Sequence, residues 1–229
     1  MRSTILTLTL CAALALGGCA NARVTDSGSA AAEPTSKAEV PAQTESTAQA
    51  APFEHSEATP RPTRQNGERF EEQITVLGME ETAHYEHLVN DTLGVEMDYD
   101  YEAFVRQSAP DYERFVSVWD EPDHPENYLE VISSPEDAET AAASLAAELS
   151  ETYEVYRDTC ELDGAGSSIR LVADVIKGTN RMPDHLQTVY VIPAPDGCRI
   201  AAAHCFITEA EGFFKRFTYL VNTLSVLAQ

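Results

Sequence analysis

Carboxylates dominate the residues of this chain that could do chemistry. Between Val95 and Asp163 stand 20 Asp and Glu against three basic residues, Arg106, Arg114 and Arg157. Inside that stretch Asp98, Asp100 and Glu102 alternate, with Asp91 and Glu96 beside them. Carboxylates at i and i+2 share one face of a strand, so the row could hold a divalent cation. No Asp-x-Asp-x-Asp-Gly loop accompanies it, and a solvated acidic rim is the expectation. Asp120, Glu121 and Asp123 form a second acidic cluster. Together Asp98, Asp100, Asp120, Glu121 and Asp123 make a candidate partner- or cation-binding face. Such a face steers basic partners, and its pull fades with ionic strength.

Other arrangements point to less. His84 and His87 lie among Glu80, Glu81 and Glu86. Histidines three apart could chelate a metal from a helix, but on a strand they point to opposite faces. A pair of exposed strand histidines is the expectation. Gly164-Ala165-Gly166-Ser167-Ser168 lacks both the Lys-Ser/Thr of a P-loop and the third glycine of a dinucleotide fingerprint, and reads as a strand-connecting turn. No Gly-x-Ser-x-Gly, His-Glu-x-x-His or Ser-x-x-Lys arrangement occurs. No catalytic residue, cofactor or metal is therefore assigned, although a triad assembled from distant residues stays open. Cys160, Cys198 and Cys205 show no zinc-ligand spacing. Cys198 and Cys205 would stand about 23 Å apart on one strand, so any internal disulfide must use Cys160, and three free thiols are the expectation.

The start of the chain carries a different chemistry. Met1-Arg2 precedes an apolar run from Ile5 to Leu16, which ends Leu16-Gly17-Gly18-Cys19. The run is too short to span a bilayer and suits a signal-peptide core. The ending resembles the bacterial lipobox, in which small residues admit a protease and the cysteine thiol takes the lipid. This resemblance implies a signal peptide over residues 1–18 and lipidation at Cys19. The chain would then be an extracytoplasmic protein lipid-anchored to the bacterial cell membrane.

Residues 19–68 read as the lipidated cysteine and a disordered linker. They are rich in Ala, Thr, Ser, Pro, Glu and Gln, with Phe53 the one aromatic. Too little apolar surface is present to offset ordering entropy. Such a tether holds its cargo about 35–40 Å from the membrane.

Residues 69–229 read as one acidic α+β domain. Strands are expected at Ile74–Leu77, Ala83–Val89 and Gly94–Tyr99, the last with Val95, Met97 and Tyr99 on one face. Tyr101 to Arg106 reads as a short helix, followed by strands at Phe115–Trp119 and Tyr128–Ile132. Ser134-Pro135-Glu136-Asp137 reads as a helix start, opening an Ala-rich helix with Ala138, Ala141, Ala142, Leu145, Ala146 and Leu149 on one face. Strands Tyr153–Leu162, Ile169–Val175, Gln187–Ile192 and Cys198–Ile207 follow as an antiparallel meander. Thr208-Glu209-Ala210-Glu211 reads as a capping box for a last helix with Phe213, Phe217, Leu220, Leu224 and Leu227 in a stripe.

The Gly-Val-Glu-Met-Asp-Tyr strand, the Ala-rich helix, the meander and the terminal amphipathic helix together resemble the PsbP-like fold over roughly Leu88 to Leu227. Asp100-Tyr101 departs from it where such proteins often have a proline, and Asp163-Gly164-Ala165-Gly166 is a looser version of its glycine turn. The resemblance implies an accessory or binding role outside the cytoplasm, without enzymatic activity.

The net charge of −23 repels nucleic acid, which is excluded as a partner, and favours a basic envelope protein. The expected function is a non-enzymatic binding or accessory module of the cell envelope. A lipid-anchored hydrolase and an acidic cation-binding surface protein are the alternatives.

Overall fold

The computed structural model describes residues 62–121 and 123–227. They belong to one unit, Glu54–Gln229; the other, Met1–Phe53, contains Cys19 and lies outside the described residues, as do the signal segment and most of the linker. Among the described residues, no helix is long and apolar enough to cross a membrane.

The fold class is α+β. The chain runs β1 (Arg69–Val76), β2 (Met79–Asn90), β3 (Val95–Asp100), β4 (Phe104–Ala109), β5 (Tyr112–Ser117), β6 (Tyr128–Ser134), α1 (Ala138–Leu149), β7 (Tyr153–Leu162), β8 (Gly166–Ile176), β9 (His185–Ala194), β10 (Gly197–Phe206), α2 (Ala210–Thr223) and β11 (Ser225–Val226). Two sheets form, ordered β1-β2-β3-β11 and β4-β5-β6-β10-β9-β8-β7. The expected meander β7 to β10 is present, and β10 then pairs antiparallel with β6.

The central strands of the seven-stranded sheet are covered on both faces. One face takes the small side chains Ala138, Ala141 and Ala142 of α1 against Leu171, Val189, Val191, Cys198 and Ile200. The other packs Phe115, Leu129, Ile192, Ala201 and Cys205 against Leu88, Val95 and Met97 of the smaller sheet and against Phe213, Phe217 and Leu220 of α2. Each of these large side chains contributes about 2 kcal/mol by leaving water. Cys198 and Cys205 thus fall on opposite faces of β10, in separate cores.

Several local expectations are corrected. Residues 101–103 turn, and Phe104 opens a strand, not a helix. Phe104 pairs with Ser117 and stacks on Phe217, so hairpin pairing overrides local preference. Asp137, not Ser134, caps α1, accepting from the Thr140 N–H at 3.0 Å, while Ser134 still pairs with Cys198 in β6. The Thr208–Glu211 capping box does not form: Glu209 takes the N-cap position without a side-chain bond, and its carboxylate accepts from Asn127 Nδ2 instead. Leu77 sits in the β1–β2 turn with φ 53°, and α2 ends at Thr223, short of Leu227.

Candidate functional site

β3 alternates as its residue types dictate. Val95, Met97 and Tyr99 enter the core, while Glu96, Asp98 and Asp100 share the other face. That face is not solvent. Arg216, Tyr219 and Thr223 of α2 bond or stack onto residues of this face or its neighbours, leaving Asp98 and Asp100 only 1% and 3% exposed. The expected solvated rim is overturned at both positions. A buried carboxylate needs countercharge, and here it comes from far along the chain. Asp98 lies 2.7 Å from His87 Nδ1 and 3.4 Å from Arg64 Nη1. Its backbone N–H donates to Thr223 Oγ1 at 2.9 Å. Asp100 accepts from Arg216 at 2.7 Å and from the backbone N–H groups of Glu102 and Ala103. Burial pushes the Asp100 carboxyl up; the backbone bonds and Arg216 offset this only in part.

The histidine pair is also corrected. His84 and His87 do point to opposite faces of β2, so they form no chelate. His84 is half-buried, 3.1 Å from Glu102, whereas His87 is buried at 5% exposure. A His–Asp dyad of this kind is half of a hydrolytic base. No nucleophile completes it: Ser225 Oγ donates to Glu96 at 2.8 Å, and His87 Nε2 is buried without a hydrogen-bond partner among the described residues.

The second acidic cluster lies in the β5–β6 loop, beside Trp119, the chain's one tryptophan. Asp120 shapes the loop more than it faces solvent. It accepts from the backbone N–H groups of Glu126 and Asn127, at 2.7 and 2.6 Å, and from Asn127 Nδ2 at 3.0 Å. Asn127 is buried and also holds Glu209 and the Phe206 N–H, which joins the loop to β10 and the start of α2. Glu121 and Asp123 remain exposed. Trp119 is 66% exposed, packed edge-on at 6.0 Å against Phe213, with Val118 exposed beside it.

The five acids therefore divide three ways. Asp98 and Asp100 are buried against α2, Asp120 is bonded within its loop, and Glu121 and Asp123 are exposed in the loop that carries the exposed Trp119. Residue-by-residue reading missed Trp119. The available signal was a lone tryptophan at a strand end, followed at once by acids and prolines. Of the expected Gly164–Ser168 turn, Gly164 and Ala165 lie in the β7–β8 turn, with Gly164 N–H bonded to Asn222 O at 2.9 Å, whereas Gly166, Ser167 and Ser168 already pair with Leu162, Glu161 and Cys160 in β8.

No family model and no curated protein sequence matches the chain. Three solved structures share part of its backbone. The solution structure of cyanobacterial PsbP from Synechocystis gives a TM-score of 0.44 at 12% identity, covering 62% of this chain and 92% of that one. The Ran-binding protein Mog1p of Saccharomyces cerevisiae gives 0.43 at 10%, covering 63% and 96%. LpqN of Mycobacterium tuberculosis, involved in cell envelope biogenesis, gives 0.36 at 15%, covering 70% and 92%. These overlaps concern backbone arrangement and bring no residue role to this chain.

Proposed function

We propose that this chain is a lipid-anchored extracytoplasmic protein and a non-enzymatic binding or accessory module of the cell envelope, whose Trp119 loop contacts a basic envelope protein. The observation that carries the reading is the exposed Trp119 beside Asp120, whose carboxylate holds the backbone of Glu126 and Asn127. An indole two-thirds in water costs solubility and offers binding energy, because aromatic anchors dominate interfaces when a partner covers them. Glu121 and Asp123 give that anchor a negative rim, and a Lys or Arg laid over the indole gains a cation–π contact of about 0.5–2 kcal/mol. The bonds of Asp120 and Asn127 already order part of the loop, which reduces the ordering cost of association. The anchor rests on Leu16-Gly17-Gly18-Cys19.

For the hydrolase alternative, the buried dyad of His87 and Asp98 meets no nucleophile among the described residues. The binding reading is tested with envelope extract at low and high salt. Trp119→Ala and the pair Glu121→Gln, Asp123→Asn should each lose the partner that the unaltered chain retains, with the folded structure intact by circular dichroism. Retention of the same partner by both variants would refute the surface. Separately, Cys19→Ala should abolish detergent-phase partitioning and accumulate precursor; normal membrane retention would refute the anchor.

A further inference from the structure

We propose that His87 Nε2 and Glu96 Oε2 are the protein ligands of a site for a zinc-like divalent transition cation, with Asp98 as its supporting carboxylate. The starting observation is the unpartnered nitrogen. His87 is 5% exposed, and Asp98 Oδ1 sits 2.7 Å from its Nδ1. A carboxylate there favours the tautomer that carries its proton on Nδ1, whose Nε2 lone pair can take a metal. That lone pair finds no donor among the described residues and faces Glu96 Oε2 at 3.8 Å. A cation placed between this nitrogen and the Glu96 carboxylate would satisfy both. A proton does not fill the gap as it stands, because 3.8 Å is beyond hydrogen-bond length.

The geometry suits a metal better. Zinc at its usual 2.0–2.2 Å from nitrogen and oxygen, with a tetrahedral angle, needs donors about 3.4 Å apart. Closing the gap takes a few tenths of an ångström. Glu96 has that freedom, since its side chain is 39% exposed.

The surroundings are those of a built site. A ligating histidine usually gives its other N–H to a carboxylate, which orients the ring and raises its basicity. Asp98 takes that place and is held by Arg64 Nη1 at 3.4 Å. Ser225 Oγ occupies Glu96 Oε1 at 2.8 Å, leaving Oε2 for the ion. Imidazole plus carboxylate favours zinc, copper or nickel over calcium and magnesium, which prefer oxygen alone. With two protein ligands the affinity is modest. The site is separate from the Trp119 loop and stands whether or not that loop binds a partner.

The test is a titration of the full chain with Zn²⁺ at pH 7, read by calorimetry and by the ¹⁵N resonances of the histidine rings. Zinc is expected to shift His87 Nε2 at the lowest metal concentration. Glu96→Gln should weaken that site at least about tenfold, and Asp98→Asn about 10–100-fold, the usual range for a supporting residue. His84→Gln should leave the site unchanged. Glu96→Gln removes a half-exposed carboxylate, so it remains informative if a His87 variant fails to fold. The proposal falls if zinc moves other histidines while His87 stays still. It also falls if Glu96→Gln binds as tightly as the unaltered chain, or if equal Mg²⁺ displaces the zinc and shows diffuse binding to the acidic surface.

Discussion

Removing Arg106 should expose how the two sheets are held together. Glu113 of β5 has 0% exposure. Its carboxylate accepts from Arg106 Nε and Nη2 at 2.8 Å each, from Ser108 Oγ at 2.8 Å and from Asn90 Nδ2 at 2.6 Å. Asn90 lies on β2, so this one carboxylate bridges the smaller sheet to the larger. Burial pulls the carboxyl up, but Arg106, Ser108 and Asn90 outweigh it and hold it below the ordinary range. Arg106→Met keeps the apolar stem and removes both charge-assisted bonds. Breaking a buried pair from one side costs about 3–5 kcal/mol, and with two neutral donors left the lower end applies. At a urea slope of about 2 kcal/mol/M, the midpoint should fall by about 1.5 M. Adding Glu113→Leu removes the stranded charge and should recover all but about 1 kcal/mol.

The pH dependence supplies a second readout of the same pair. A carboxyl held below its unfolded value stabilises the fold above the ordinary value of 4.5 and loses that contribution as pH falls through the folded value. In Arg106→Met burial acts with less opposition, so this stabilising contribution at neutral pH should shrink or reverse. The assay is urea unfolding by far-ultraviolet circular dichroism at pH 4, 5.5 and 7. A midpoint shift below about 0.3 M, or a double variant weaker than the single one, would refute the account.

Three further outcomes follow from other positions. Burial, reinforced by His185, pushes His204 down to about 4 from 6.5, so the unfolded chain holds the extra proton between those values; stability should drop by on the order of 3 kcal/mol as pH falls through that window, and His204→Phe should flatten the loss. Gly197 has φ 137°, and a side chain there would press on Ser134 O and on Pro135 Cα at 2.9 Å, so Gly197→Ala should lower the melting temperature by more than about 10 °C. Leu77 holds the left-handed conformation at φ 53° while 53% exposed, so Leu77→Asn should stabilise by about 0.5–1 kcal/mol in urea unfolding; a loss would mean that the leucine packs as well as turns.

Elements whose partners lie nearby were legible. Strand Tyr153–Leu162 has the expected bounds, because its turn residues and its hairpin partner follow at once. The alanine stripe of α1 announced a close-packed face, and Ala138, Ala141 and Ala142 are the residues that fill it. Elements decided at long range were not. Phe104 reads locally as part of a short helix; its strand comes from β5 pairing and from Phe217, over a hundred residues away. The segment before Arg69 has linker composition, yet Asn66 Oδ1 accepts the Val89 N–H and Gly67 N–H donates to His87 O. Composition does not reveal backbone bonding of this kind, because any residue type can supply it.

The same reasoning separates the acids that sequence placed in one group. Charge measures composition, whereas exposure depends on where the cations go. Arg64, Arg69, Arg106, Arg114, Arg157, Arg170, Arg199 and Arg216 each pair with a carboxylate of this chain. With only 15 basic residues against 38 acidic ones, so much internal pairing concentrates the uncompensated charge on exposed acids. Those acids set the long-range field, because paired and buried charges contribute little to it. Neutralising Glu121 and Asp123 should therefore lower both the association rate with a basic partner and its dependence on salt. Asp98→Asn should leave that salt dependence unchanged, even where it weakens the fold around His87. The measurement is stopped-flow association between about 20 and 300 mM salt, a range over which the screening length falls by several-fold. Equal salt slopes for the exposed pair and the buried residue would show that position does not decide which carboxylates a partner feels.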